Sequence, residues 1–204
     1  ARHIVRGDHF ARGPAFTHFD PNILHGQEVF GATLGIIGMG GVGQQVARRA
    51  AGFDMKVLYH NRSEISEIAG KLGATYVSLP ELLAQSDFVT LNVPMSPETR
   101  NMIGRDELAM MKPTAILVNA ARGGVLDHDA LVDALSEGTI WAAALDVTEP
   151  EPLPRDHPLL AMGNIVIAPH LGSATRKTRI GMVQRTIENL IAGLTGGEMP
   201  SRVA

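Results

Sequence analysis

Arg122, Glu151 and His170 are the residues whose types and positions could move a proton and hold a small anion. Arg122 follows an apolar run and precedes two glycines, which places it well to clamp a small carboxylate. His170 lies between an apolar run and a helical pattern, and an imidazole can donate a proton near neutral pH. A carboxylate close to it would favour the charged ring and fix its orientation. Together these groups could bind an acid and protonate a developing alkoxide.

Each of these side chains also has a plainer interpretation. Arg122 could be one partner of a structural ion pair, and Glu151 could be an exposed acid in a proline-rich loop. His170 could cap a helix or face solvent. Composition alone leaves Glu149 as a rival acid, because both glutamates precede a proline. The other histidines share no metal-ligand spacing, so no metal site is predicted.

A glycine-rich stretch earlier in the chain predicts a site for a cofactor that carries phosphates. An apolar run leads into Gly38-x-Gly40-x-x-Gly43, and a helical pattern follows. Between a strand and a helix, Gly38 allows the tight turn, Gly40 lets the backbone approach a pyrophosphate, and Gly43 allows close packing. Free amides at the start of the helix, including Gly41 and Val42, would then face the phosphates. The alternative is a glycine-rich turn that only packs tightly.

The end of the second predicted strand, about 20 residues past the glycines, decides between the two nicotinamide cofactors. The segment Asn61-Arg62-Ser63 contains no acid, and the first one is Glu64. An acid would bond the 2′-hydroxyl of NAD, whereas Arg62 can hold the 2′-phosphate of NADP, with Asn61 and Ser63 as hydrogen-bonding neighbours. We therefore predict NADP(H) as the preferred cofactor and NAD(H) as the alternative. In the plainer interpretation Arg62 is solvated and Ser63 caps the next helix.

A regular fold must position these residues. From residue 32 onward, apolar segments that are candidates for strands alternate with segments of helical pattern. The predicted strands cover residues 33–37, 56–59, 75–77, 88–93, 115–119, 142–147 and 165–168. The predicted helices cover residues 1–11, 42–52, 64–72, 80–84, 105–110, 127–136 and 175–194. Strands without polar alternation indicate burial on both faces. The pattern predicts an α/β fold with a doubly wound parallel sheet, of the Rossmann-like nucleotide-binding type.

Composition narrows the class of protein further. The 204 residues carry a net charge of −3 without a dense basic block, which argues against nucleic acid as a partner. There is no cysteine, so disulfides and thiolate metal sites are excluded, and the composition is compatible with the predicted cytoplasmic location. No apolar run reaches membrane-spanning length. We predict a linking helix and arm over 1–30, a dinucleotide-binding domain over 31–175, and a C-terminal helix and tail over 176–204.

Three motifs that follow the glycine loop resemble those of the D-2-hydroxyacid dehydrogenase family. They are Asn-x-x-Arg-Gly at 119–123, Leu-Asp-Val-x-x-x-Glu-Pro at 145–152 and Pro-His-x-Gly-Ser at 169–173. The sequences of residues 145–154 and 157–160, together with Met-Pro-Ser at 199–201, are especially similar to those of the glyoxylate/hydroxypyruvate reductases of that family. The resemblance covers nearly the whole chain.

The resemblance implies a role for each motif residue. Arg122 would be the substrate arginine and His170 the catalytic histidine. Glu151 would be its acid partner, because the family's acid lies five residues past Asp146. Asp146 would hold the nicotinamide carboxamide, and the cofactor would also be lined by Pro94, Ala120 and Gly172. The implied activity is NADPH-dependent reduction of glyoxylate or hydroxypyruvate. A dehydrogenase with another small 2-oxo or 2-hydroxy acid substrate, and an NAD(P)-sensing corepressor of the same fold, are the alternatives.

In the family, a substrate lobe comes mostly from residues before the nucleotide domain, and little chain precedes it here. We expect this lobe to be largely absent from the chain. Without it, water is not excluded and the substrate is poorly oriented, so the chain alone should bind NADP(H) but reduce glyoxylate weakly. The resemblance also implies a homodimer of nucleotide-binding domains, with the apolar residues of the arm at 16–30 in the contact.

Overall fold

The computed structural model of the protein describes residues 1–202. Residues 203 and 204, the end of the predicted C-terminal tail, lie outside the described residues. The chain forms two compact units, one from Ala1 to Pro169 and one from His170 onward. The domain boundaries predicted at residues 31 and 176 stay predictions.

The first unit is built on a seven-stranded sheet. Its strands are β1 Thr33–Ile37, β2 Lys56–His60, β3 Ala74–Tyr76, β4 Phe88–Leu91, β5 Ile116–Asn119, β6 Ala142–Leu145 and β7 Ile165–Ile167. Their order is β3-β2-β1-β4-β5-β6-β7, and every neighbouring pair is parallel. The strand order reverses between β1 and β4, and all strands end at one edge of the sheet, where such folds bind ligands. The predicted doubly wound fold is confirmed.

Helices connect these strands. They are α1 Ile4–Arg12, α2 Gly41–Ala50, α3 Ser66–Lys71, α4 Leu79–Gln85, α5 Arg105–Met110 and α6 His128–Glu137, while α7 Arg176–Thr195 lies in the second unit. The Asp127 carboxylate caps α6 by accepting from the Ala130 amide at 3.0 Å. The glycines Gly138 and Gly196 end α6 and α7 with φ values of 71° and 72°.

Several predicted bounds were wrong by one to three residues, and the alternative interpretation of Ser63 as a helix cap was wrong. β4 ends at Leu91 and not at residue 93, while β2 extends to His60. Helix α3 begins at Ser66 with Ile65 as its N-cap residue, so Ser63 does not cap it. The segment that carries Arg62 and Ser63 is therefore irregular chain between β2 and α3.

Both faces of the sheet are covered, as the apolar strands predict. Ile36 packs with Ala47 of α2 in one buried cluster, whereas Ile37 belongs to a second cluster with Leu82 of α4 and Leu131 of α6. Successive residues of a strand point to opposite faces, so neighbours in β1 contribute to different clusters. The sheet is thus a layer between two helical layers, which makes its carboxyl edge a rigid platform.

The first thirty residues lie outside this core. Helix α1 has no buried residue, and residues 14–30 form no helix or strand, as the sequence predicts. Trp141 precedes β6 and is half-buried, and the His3 ring packs edge-on against it with centroids 5.2 Å apart. Large apolar side chains of the arm are exposed, with Phe19 at 81%.

The second unit consists mainly of α7. The Thr175 hydroxyl caps it by accepting from the Thr178 amide at 3.1 Å. No residue of α7 is buried, and Leu190 and Leu194 are among its exposed apolar side chains. Across residues 1–202, no helix has the length and apolar character needed to cross a membrane.

Candidate active site

The predicted site residues of the first unit lie where strands end at the same edge of the sheet. The glycine loop follows β1, Asn61 to Ser63 follow β2, Pro94 comes three residues after β4, Ala120 and Arg122 follow β5, and Asp146 follows β6. Because the strands are parallel and adjacent in the order β2-β1-β4-β5-β6, these segments share one crevice edge.

The three motif glycines have different surroundings, and the differences match three separate roles. Gly38 has φ +97°, and a Cβ on it would lie 2.8 Å from the Asn92 carbonyl carbon. A Cβ on Gly43 would overlap the Gly38 carbonyl oxygen. A Cβ on Gly40 would meet no atom within 4 Å. Gly38 and Gly43 are therefore required by the fold, whereas Gly40 borders open space that a ligand could occupy.

The first turn of α2 presents free backbone donors to that space. Gly40 is the N-cap residue and has no side chain with which to cap the helix. The Gln44 amide bonds the Gly40 carbonyl at 3.0 Å, but the amides of Gly41, Val42 and Gly43 have no acceptor among residues 1–202. Val42 is 61% exposed. Free amides at the positive end of a helix dipole make an anion site, so this turn fits a pyrophosphate.

Asn61 is attached to the glycine loop itself. Its side-chain oxygen accepts from the Met39 amide at 2.8 Å, and its carbonyl accepts from the Tyr76 hydroxyl at 3.2 Å. The bond to Met39 ties the end of β2 to the turn after β1. Asn61 thus positions the loop, a role that the sequence did not predict for it.

Arg62 and Ser63 are exposed beside this loop. Arg62 makes no hydrogen bond or ion pair with any other residue in 1–202, but its charge reaches Glu98. Hydrogen bonds from the Ser96 side chain and from its own amide, together with the Arg62 charge, hold the pKa of Glu98 below its ordinary value. The guanidinium is therefore available to a phosphate, and Glu98 is the acid that would compete for it.

The loop that carries Arg122 is fixed by Asn119, the last residue of β5. Asn119 is 0% exposed, and its side chain accepts from the Ala121 amide at 3.0 Å and donates to the Arg122 carbonyl at 2.9 Å. Its own carbonyl accepts from the Asp146 amide at 2.9 Å. Asn119 therefore links the backbones of Arg122 and Asp146. A polar residue at the end of a buried strand needs such partners, and that signal was available in the sequence.

Arg122 itself is exposed, and one of its guanidinium nitrogens donates to the Ala121 carbonyl at 2.7 Å. A guanidinium has five N–H donors, so this bond leaves most of them for an anion. Arg122 is therefore held close to its own backbone with donor capacity that a carboxylate could use.

The two rival acids line different cavities. Glu151 and Asp146 share a cavity of about 450 Å³, whose wall also includes Leu153, Arg155 and Pro169. Glu149 lies on a second cavity of about 350 Å³ and forms an ion pair with Arg100 at 2.9 Å. The carboxylate that shares a wall with Asp146 is thus Glu151, while Glu149 already has a basic partner.

The second cavity also contains two histidines with perpendicular rings, His128 and His157, whose centroids are 6.4 Å apart. His128 is 8% exposed, and its Nε2 atom has no hydrogen-bond partner within residues 1–202. Burial lowers the pKa of His128 below its ordinary value. His157 Nδ1 accepts from the Leu159 amide at 3.2 Å and caps a short 3-10 helix. No group of three or more side chains in the described part of the chain is arranged to hold a metal ion.

His170 is the first residue of the second unit and is exposed with φ 55°, a left-handed conformation that is uncommon outside glycine. It directly follows Pro169, the last residue of the first unit. Gly172, two residues further on, is also exposed. The pairing of His170 with Glu151 remains a prediction from the sequence.

Comparison with known proteins agrees with this architecture. Residues 1–172 match the family model described as D-isomer specific 2-hydroxyacid dehydrogenase, NAD binding domain. Glyoxylate reductase of Aeropyrum pernix is 48% identical over 207 aligned residues, which cover 100% of this chain and 62% of that protein. The chain therefore spans about three fifths of the length of this relative.

Solved structures show the same similarity. The TT0316 protein of Thermus thermophilus superposes with a TM-score of 0.93 at 46% identity, over 100% of this chain and 64% of that one. The NAD complex of a D-isomer specific 2-hydroxyacid dehydrogenase from Lactobacillus delbrueckii ssp. bulgaricus superposes with a TM-score of 0.85 at 31% identity, over 99% and 65%. From its strand order, its glycine loop and these matches, the chain belongs to the D-isomer specific 2-hydroxyacid dehydrogenase family and contains the NAD-binding domain of that family.

Proposed function

We propose that the protein reduces glyoxylate, and with it hydroxypyruvate, to the 2-hydroxy acid with NADPH. In this proposal the chain supplies the cofactor domain and the catalytic side chains. The observation that carries it is the shared crevice edge, where the open space at Gly40 and the braced Arg122 follow strands of one sheet. The similarity to a protein named glyoxylate reductase supports the substrate.

The glycine loop fits the pyrophosphate of a dinucleotide. The amides of Gly41 and Val42 would donate to phosphate oxygens, and a Cβ at residue 40 would fill the space that the phosphates need. Arg62 would hold the 2′-phosphate, with Ser63 and the free amide group of Asn61 beside it. Pro94, Ala120 and Gly172 would complete the lining. NADPH supplies the hydride when it is bound.

The side chains of the chain then handle the substrate. Arg122 binds the carboxylate of the 2-oxo acid and polarises its carbonyl group. His170 donates a proton to the carbonyl oxygen as the hydride reaches carbon, which yields the 2-hydroxy acid. Glu151 favours the protonated imidazole, and Asp146 orients the nicotinamide carboxamide. General acid catalysis of this kind typically contributes about 10²–10⁴-fold to the rate.

We further infer that two copies pair through the arm at residues 16–30. Phe16, Phe19 and Phe30 are 49%, 81% and 63% exposed there, and a partner would remove these rings from water. Sedimentation at micromolar concentration should show a dimer. A monomer under those conditions would contradict this part of the proposal.

The test is oxidation of NADPH and of NADH with glyoxylate, hydroxypyruvate and pyruvate in turn. It should be run on this chain and on the longest form of the protein. We expect glyoxylate and hydroxypyruvate to be reduced with a preference for NADPH, and we expect the 204-residue chain alone to be much slower than a two-lobed relative. Preference for pyruvate would indicate a dehydrogenase with another substrate. Cofactor binding without reduction of any 2-oxo acid in the longest form would favour a sensing role.

A further inference from the structure

The ion pair between Arg100 and Glu149 has no role in the proposed chemistry, yet it joins two loops that are far apart in sequence. Its nitrogen and oxygen are 2.9 Å apart, and the two side chains are 55% and 46% exposed. Exposed pairs of this kind contribute about 0–1 kcal/mol to stability, because water screens them. Stability alone therefore gives little reason for this contact.

The pair lies at the centre of three loops that are in close contact. A Cβ on Gly124 would overlap the Glu149 carboxylate, and a Cβ on Gly123 would overlap the Thr148 carbonyl group. The Asn101 amide donates to the Gly124 carbonyl at 2.8 Å. We call Arg100, Asn101, Gly123, Gly124 and Glu149 the loop clamp. Gly123 is needed because a side chain there would meet backbone atoms of the Thr148–Glu149 segment, whereas a side chain at residue 124 would displace the Glu149 side chain from its present position.

The loop clamp is next to two of the proposed catalytic residues. Arg122 directly precedes Gly123, and Glu151 lies two residues after Glu149. Within the second segment the Thr148 hydroxyl donates to the Pro150 carbonyl at 2.9 Å, so the backbone between Glu149 and Glu151 is also held. A shift of Glu149 relative to Gly124 would therefore change the spacing between the Arg122 loop and the Glu151 loop.

We propose that Arg100 and Glu149 are positioning residues that set the distance between Arg122 and Glu151 through the loop clamp. The inference rests on the proposed function, because it assigns Arg122 to the substrate and Glu151 to the acid–base pair. Glu149, a rival for the catalytic acid on composition alone, then has a separate task. Since a displacement of about 1 Å can cost about 10²-fold in rate, loss of the clamp should be visible in turnover.

The variants Arg100→Ala, Glu149→Ala, Glu149→Gln and the double alanine variant test the proposal in the longest form of the protein. Each single alanine variant should lower kcat/KM for glyoxylate by about 10–100-fold, with unchanged NADPH affinity and a melting temperature within a few degrees of wild type. Glu149→Gln should keep near wild-type activity, because an amide oxygen can still accept from Arg100. The double variant should lose no more than either single variant.

Arg105→Ala is the matched control, because Arg105 and Asp133 form another exposed ion pair that joins no catalytic loop. It should leave kcat/KM unchanged. Equal losses in Arg105→Ala and Glu149→Ala, or additive losses in the double variant, would overturn the proposal. A loss of activity that merely parallels a loss of thermal stability would also overturn the proposal.

Amide hydrogen exchange separates this proposal from the proposed function. In Glu149→Ala, exchange should rise at Asn101 and Ile103, whose amides donate to the Gly124 and Val125 carbonyls between the loops. If wild type reduces no 2-oxo acid, the proposed function fails, and unchanged exchange would show that the clamp fails as well. If wild type is active and exchange is unchanged in Glu149→Ala, only the clamp is wrong.

Discussion

Replacement of Gly40 by alanine should weaken cofactor binding while leaving the fold intact. A Cβ at residue 40 meets no protein atom within 4 Å, and the residue has φ −77°, which alanine adopts without strain. Alanine reduces the entropy of the unfolded chain by about 0.4–1 kcal/mol but is a poorer N-cap residue than glycine. These effects nearly cancel, so the melting temperature should change by less than about 4 °C.

The binding side of this prediction follows from the amides of α2. If a Cβ keeps the pyrophosphate from the first turn, one charge-assisted hydrogen bond is lost, which costs about 1.5–3 kcal/mol. The Kd for NADPH should therefore rise by about 10–150-fold. Titration of NADPH fluorescence gives the Kd, and thermal denaturation of the same samples gives the stability.

Two further alanine variants serve as controls for Gly40→Ala. At Gly70 in α3 a Cβ also meets no atom within 4 Å. Gly70→Ala should therefore neither weaken NADPH binding nor destabilise the folded chain. At Gly43 a Cβ would overlap the Gly38 carbonyl oxygen, so Gly43→Ala should lower the melting temperature. If Gly40→Ala binds NADPH as tightly as wild type, the space beside Gly40 is not the pyrophosphate site and the reasoning is refuted.

The remaining predictions concern three other positions. Arg62→Asp should weaken NADPH binding by about 10–100-fold and favour NADH, because it replaces a phosphate-binding cation with an acid; an unchanged cofactor preference would contradict it, and the exposed Arg48→Asp is the control. Asn119→Ala should lower the free energy of unfolding by about 1–3 kcal/mol in urea titrations, because the Ala121 amide and the Arg122 carbonyl lose their partner. Burial lowers the pKa of His128, so the unfolded chain binds its proton first as the pH falls below about 6.5. The free energy of unfolding of the wild type should therefore fall as the pH is lowered from 7.5 to about 5.5, and that of His128→Gln should fall less. Equal slopes of the two free energies against pH would contradict this prediction.

Much of the fold could be predicted because local patterns and tertiary structure agree. Uninterrupted apolar strands identify a sheet covered on both faces, and the Gly38-x-Gly40-x-x-Gly43 spacing locates the first turn. The roles of Gly38 and Gly43 follow from sterics that any strand-turn-helix unit imposes. Strand ends were less predictable: the predicted β4 continued past the polar Asn92 to residue 93, whereas its register with β1 ends at Leu91.

The contacts between loops could not be predicted from sequence. Glu149 and Glu151 both precede prolines, and only the tertiary structure separates the cavity of Glu151 from the ion pair of Glu149. Arg100 is 49 residues away from Glu149, so no local pattern relates them. Ser63 has the composition of a helix cap, but the chain continues irregularly to Ile65 before α3 begins.

Glyoxylate reduction by His170→Ala tests the central claim most directly. The longest form of the protein should be assayed for glyoxylate-dependent loss of NADPH, alongside a titration of NADPH affinity. The proposed mechanism predicts turnover by wild type, a loss of about 10²–10⁴-fold in His170→Ala, and equal NADPH affinity in both proteins. Reduction of glyoxylate by His170→Ala at the wild-type rate would contradict the assignment of the proton donor.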